Sequence, residues 1–366
     1  MRRIDTRGGA GVRQAPARTR LLRPRLAIPV TALLLVAAVL LAAAWVGLPA
    51  THPAAARADE PVVLEVDHNG TMAKQYTLTQ LQALTAFPGY AGFKNDANNV
   101  TGPEAVTGVK ITDVVQDALG AAMTPVQSLL MTAGDGYHMT FAYSQIANLS
   151  GFSLWDATTK DPVSLTGLTG PLATTLIYAA PDPPGDLLAA GPLRFMIVDG
   201  TSENVVMTGS DSIYNVTRLD VRDQTVKEWS LRLVGLKLRG VRQTRTIKRN
   251  DFQSCVNCHG SSYTASSHTW SGVPLYYLVG EVDGGKTMAY NATLARKGYR
   301  IRLTSTTGLQ RYVSSHTIVH RRSIILAWQR DDDVLPHSLF PLRLTGPRLT
   351  PSQRLGRIKT ITLLPK

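Results

Sequence analysis

Gly272-Val-Pro-Leu-Tyr-Tyr-Leu-Val279 decides the fold, because Gly108-Val-Lys-Ile-Thr-Asp-Val-Val115 has already said the same thing. Working outward, Ala133-Gly-Asp-Gly-Tyr-His138 corresponds to Ser305-Thr-Thr-Gly-Leu-Gln310. Leu176-Ile-Tyr-Ala179 then corresponds to Ile325-Leu-Ala-Trp328, and Gly191-Pro-Leu-Arg-Phe195 to Phe340-Pro-Leu-Arg-Leu344. Four correspondences in one order imply a duplicated domain. Copy one spans 61–222 and copy two 226–366, with the joint near Arg222–Lys227, and each is long enough to bury a core.

Local patterning fills in the elements. Val62–Val66 alternates as a strand, Asn69-Gly70 is a turn pair, and Thr77–Leu84 has helical spacing. In copy two the matching strand is Ser230–Val234 and the matching short helix Lys248–Gln253. Each Gly-Val segment leads into a helix, at Ile111–Leu119 and Leu275–Val282. Strands are expected at Ser128–Thr132, Tyr299–Thr304 and Ser323–Trp328. The Pro-Leu-Arg segments open closing strands that end at Val216–Val221 and Ile358–Leu364. Strands outnumber helices, so the class is α+β with mixed sheets.

Charge is divided along the chain. The net charge of +13 resolves into +8 over residues 1–57, −11 over 58–225 and +16 over 226–366. Attached to an acidic half and lacking a recognition motif, the basic half does not point to nucleic acid. It suits attraction between the copies, or a small anionic substrate in copy two.

Leu26–Leu48 carries no charge and is long enough to span a bilayer. The preceding arm, residues 1–25, holds eight arginines, which places it in the cytoplasm and everything past Leu48 outside. Ala56-Arg57-Ala58 offers a cleavage site, so a removed signal peptide is the alternative to a retained anchor. Residues 49–60 read as an Ala/Pro-rich linker.

The only cysteines lie in copy two, in Cys255-Val-Asn-Cys258-His259. The pattern is that of covalent haem c attachment, with His259 as the axial ligand. A Cys255–Cys258 disulfide in an exported protein is a second reading. A zinc site completed by His316 and His320 is a third. His68, His138 and His268 read as ordinary polar residues.

The order of elements resembles the oxidoreductase molybdopterin-binding domain family, which has the sulfite-oxidase fold. In copy two the matching segments are Ser230–Val234, Asn250–Gln253, Trp270–Leu275, Thr307–Gln310, Ile324–Trp328 and Pro341–Arg343. Copy one matches at Val62–Val66, Tyr76–Leu81, Val106–Ile111, Asp135–Tyr137, Leu176–Ala179 and Pro192–Arg194. The resemblance implies two tandem sulfite-oxidase-fold domains after one N-terminal transmembrane helix. It also implies Mo-molybdopterin at copy two, oxygen-atom or electron transfer, and a redox partner protein. Cys258, 14 residues before Gly272, is then the candidate molybdenum ligand, with Cys255 second, since soft thiolates suit that metal. Arg321, Arg322, His337 and Arg343, with Arg330 nearby, are the residues the resemblance assigns to the pterin phosphate and the substrate anion. Copy one has no thiol and reads as a scaffold.

Overall fold

The computed structural model describes residues 60–366 apart from 169, 181–186, 189–190, 202–203, 239–240 and 285–289. The basic arm, the expected membrane helix at 26–48 and all of the linker but Glu60 lie outside the described residues. Among those described, no helix is long and apolar enough to cross a membrane.

Copy one opens with β1 (Val62–His68), β2 (Thr71–Thr77) and a short helix α1 (Leu78–Gln82). It continues through β3 (Ala86–Lys94), β4 (Val100–Lys110), α2 (Ile111–Leu119), β5 (Ser128–Ala133), β6 (His138–Ala142) and α3 (Tyr143–Asn148). Then come β7 (Leu154–Asp156), β8 (Pro162–Val163), β9 (Leu172–Ala179), β10 (Arg194–Asp199), β11 (Val205–Thr208), β12 (Ile213–Tyr214) and β13 (Val216–Arg222). Copy two repeats the plan with β14 (Ser230–Leu238), β15 (Val241–Lys248), α4 (Arg249–His259), β16 (Ser261–Ala265), β17 (His268–Pro274) and α5 (Leu275–Gly280). After α6 (Ala292–Lys297) follow β18 (Arg300–Ser305), β19 (Gln310–Ser314), α7 (Ser315–Ile318), β20 (Ile325–Arg330), β21 (Asp333–Val334), β22 (Arg343–Thr345) and β23 (Ile358–Leu364). The class is α+β, with several mixed sheets and few helices.

Two of the sheets share one strand plan. Copy one has a five-stranded sheet in the order β2-β1-β13-β5-β6, and copy two has β15-β14-β23-β18-β19. In each, the first and last strands of the copy run parallel at the centre. Both central pairs bury aliphatic residues completely: Val66 beside Leu219, and Leu233 beside Ile361. Each such side chain contributes roughly 1.5–3 kcal/mol by leaving water. A second sheet packs over the first in each copy, eight-stranded in copy one and smaller in copy two. Each copy has its own main apolar cluster, one drawn from residues 64–221 and the other from 231–363.

The two glycines of the opening motif explain their own repetition. A Cβ on Gly108 would sit 2.3 Å from the Leu176 carbonyl oxygen, and one on Gly272 would sit 2.1 Å from that of Leu326. Strands β4 and β9, like β17 and β20, are therefore too close for any side chain there. This geometry also corrects the expected alignment by one residue. Val109 pairs with Leu176 and Val273 with Leu326, so Leu176 corresponds to Leu326, not to Ile325.

Two further expectations change. The Pro-Leu-Arg segments open β10 and β22, which pair with β9 and β20 in the second sheet; the closing strands β13 and β23 are separate and return to the first sheet. The short helix of copy two does not stop at Gln253 but runs to His259, taking both cysteines into it.

Candidate functional site: a thiol cleft and an arginine cleft

Helix α4 is built to use all its faces. Asp251 at the third helical position accepts the Lys248 amide at 3.1 Å and satisfies one free donor of the first turn. Phe252 is fully buried, edge-on to Trp229 at 5.3 Å and tilted against Trp328 at 6.4 Å. A second face grips copy one. Gln253 accepts the Thr140 amide at 3.1 Å, Asn257 donates to the His138 carbonyl at 2.6 Å, and the Ser210 hydroxyl donates to Asp251 at 3.1 Å.

The face that carries Asp251 also carries Cys255, Cys258 and His259. Spacings of three and four residues put all three on one side of a helix. They line a cleft of about 250 Å³ between the copies, walled by Phe93 of copy one and by Ile247, Val273 and Leu278 of copy two. The His259 ring stacks on Tyr277, with centroids 4.4 Å apart and planes 19° apart. Acids approach from both copies. Arg245 bridges Asp96 of copy one, at 3.1 Å, and Glu281 of copy two. This is the one ion pair between the copies among the described residues. The expected attraction between the halves therefore runs mainly through hydrogen bonds from α4 and Lys248.

Burial disfavours the thiolate at both cysteines. Burial pushes Cys255 up to about 12, and the Glu281 carboxylate adds to it. Burial, and then Asp135 of copy one, raise Cys258 as well. Cys255 is half-buried, Cys258 is exposed, and the two are not joined to each other.

The basic residues expected to form one anion pocket are distributed over three places. Exposed Arg322 donates to the Gly260 carbonyl at 3.4 Å, just past the end of α4, and Arg321 lies in the turn after α7. His337 is exposed and lines a cleft of about 460 Å³ at the joint between the copies, with Trp229, Arg249 and Trp328. Arg343 stands over the Trp270 ring at 4.5 Å, on which Arg330 also lies at 5.8 Å. The zinc reading loses its geometry too. Helix α7 has four residues, and His320 lies beyond it in a left-handed conformation (φ 51°), edge-on to Tyr276 and Tyr290. Among the described residues no three His, Cys, Asp or Glu side chains gather as metal ligands do. His68, His138 and His268 have polar partners in Asp223, the Gly136 carbonyl and Asp331.

A third cleft escaped sequence reasoning. Arg311, Arg354 and Arg357 line a hollow of about 290 Å³ in copy two, with the hydroxyls of Ser305, Thr307, Ser338 and Ser352 and no carboxylate. The Nε atoms of Arg354 and Arg357 are buried and have no protein partner, and neither has that of neighbouring Arg343. Burial, with Arg354 and Arg330 close by, lowers the pKa of Arg343. The sequence held a signal: residues 334–366 contain six Lys/Arg and no acid. No protein-family model matches this chain, and no curated protein matches it. The thiol cleft and the arginine cleft are separate. They share no lining residue.

Proposed function

We propose that this is an extracytoplasmic, membrane-anchored binding protein of two sulfite-oxidase-like repeats, whose second repeat takes a small phosphate-bearing or oxyanion ligand in the arginine cleft. One observation carries the reading: three guanidinium groups face a hollow that no carboxylate enters, and two of them keep buried N–H donors without partners. Guanidinium groups with no carboxylate beside them gain charge-assisted hydrogen bonds from an oxyanion. The planar fork of arginine suits two oxygens of one phosphate.

Molybdopterin is the ligand that the resemblance suggests, and its fit is divided. The phosphate end suits the arginine cleft, beside Arg343 of the Pro-Leu-Arg segment. The metal end does not: Cys258 sits on α4 in a separate, acid-lined cleft, not on a strand facing the arginines. No oxygen-transfer step is assigned to it. A molybdopterin-dependent oxidoreductase stays as the second reading, supported by the position of Arg343 alone.

Calorimetry with inorganic phosphate and pyrophosphate tests the first reading. Binding is expected to weaken with salt, and by about tenfold or more in Arg354→Ala and in Arg357→Ala. Unchanged affinity in both variants rejects the arginine cleft. Stoichiometric molybdenum and pterin in protein isolated from its own membrane would favour the second reading.

A further inference from the structure

The thiol cleft has a chemistry opposite to that of the arginine cleft. Asp96, Asp251 and Glu281 line it against the single Arg245, so its field draws cations and repels oxyanions. Inside are two sulfurs three residues apart on a rigid helix, with roughly 5–6 Å between their Cβ atoms, close enough to share one ion. One imidazole adjoins them, held by its stack on Tyr277.

We propose that Cys255 and Cys258 form a site for a single cuprous ion, bound between the two copies as a two-coordinate bis-thiolate with His259 at its edge. Softness selects the metal: thiolates favour Cu(I), whereas carboxylate and water ligands favour harder ions. Ligand number selects it again. Structural zinc takes four protein ligands, and among the described residues no third His, Cys, Asp or Glu completes a set. A cuprous ion is satisfied by two sulfurs in line. Size argues the same way. At about 250 Å³ the cleft lies below the roughly 300–1,000 Å³ of pockets for organic ligands, which leaves little room for a haem macrocycle. On binding, two S–H bonds break, two S–Cu bonds form and two protons leave; nothing is oxidised. Uptake therefore strengthens with pH.

The location gives the ion a structural role. Helix α4 carries the ligands and also the hydrogen bonds to His138, Thr140 and Ser210 of copy one. Both sulfurs belong to α4, so the ion braces the helix that carries the contacts to copy one.

The test is an anaerobic titration of the reduced full-length protein in detergent with cuprous ion against a chromogenic chelator. The expected result is one equivalent bound, with sulfur-to-copper charge-transfer absorption and loss of two titratable thiols. Cys255→Ser and Cys258→Ser should each lower affinity at least a hundredfold. His259→Ala should change it less than tenfold, and Arg354→Ala should leave it unchanged. Thermal unfolding checks that the variants fold, and Cys255→Ala replaces the serine variant if that one does not. The proposal falls if the double serine variant takes up copper equally well, or if zinc binds as tightly. It also falls if the isolated protein carries covalent haem in a pyridine haemochrome assay, or if a Cys255–Cys258 disulfide survives reduction. The phosphate-binding reading stands or falls separately, because its residues are the arginines.

Discussion

The helix after the second strand has five residues in copy one and eleven in copy two. Their third to fifth positions match. Gln80 and Asp251 stand third and accept the amides of Thr77 and Lys248, Leu81 and Phe252 are the fully buried residues, and Gln82 matches Gln253. The six residues left over are Ser254-Cys-Val-Asn-Cys-His259, the entire thiol motif. The same contrast recurs at the Pro-Leu-Arg arginines. Arg194 is buried, donates to Ser212 at 2.9 and 2.7 Å and to the Leu187 carbonyl at 3.2 Å, and lies over Tyr214 at 3.4 Å. Arg343, its counterpart, keeps a buried Nε without a partner. Where the copies agree, the residues build the fold; where they part, copy two exposes or orphans the groups that can meet a ligand.

The largest expected effect probes the agreement. Gly108→Val and Gly272→Val each force two strands apart, and each should cost about 3 kcal/mol in denaturant unfolding. If one copy accepts valine at wild-type stability, its strand register differs from that described. The arginine pair probes the divergence. Arg194→Met should cost about 2 kcal/mol, since it strips partners from Ser212 and the Leu187 carbonyl. Arg343→Met should stay within about 0.5 kcal/mol of wild type while weakening phosphate binding. Equal losses of stability in the two variants would erase the distinction between the copies.

A pH-dependent effect concerns the contact between copies. Asp211 of copy one is buried facing Asp251, Asn250, Lys248 and Arg249 of copy two, with Tyr137 of its own copy nearby; burial, then Asp251, raise its pKa from 3.8 to about 7. The folded state then holds a proton that the unfolded state has released. Unfolding free energy should fall as pH rises from about 4 to about 7, by at most about 1.4 kcal/mol per unit, and level off above. Asp211→Asn should flatten that slope. An unchanged pH profile in this variant would mean that Asp211 titrates in contact with water, not sealed between the copies.

The duplication was legible because a glycine forced by backbone contact cannot drift, and two of them anchor the same motif. The slip at Leu176 arose where runs of apolar residues look alike one position apart, and only strand pairing separates them. The length of α4 was hidden because Ser, Asn, Cys and His are middling helix formers; packing of the helix against copy one holds that stretch helical, not propensity. Arg321, Arg322, His337 and Arg343 are close in sequence, yet turns and strands carry them to different sides of copy two. The arginine cleft joins residues of a hairpin at 305–311 to a segment at 351–357, a pairing that no local pattern announces.

The parallel pairs at the centre of the two sheets have a consequence for how the chain is made. Glu65 pairs with Arg218, and Arg232 with Thr360, so each copy places its last strand beside its first. Such distant pairing slows folding, because a long loop must close before any contact rewards it. It also makes β23 indispensable. Removing β23 would take the middle out of a five-stranded sheet, leaving β14-β15 and β18-β19 as two separate hairpins. As the chain emerges during synthesis, copy two must therefore wait for nearly its final residue before its core can form.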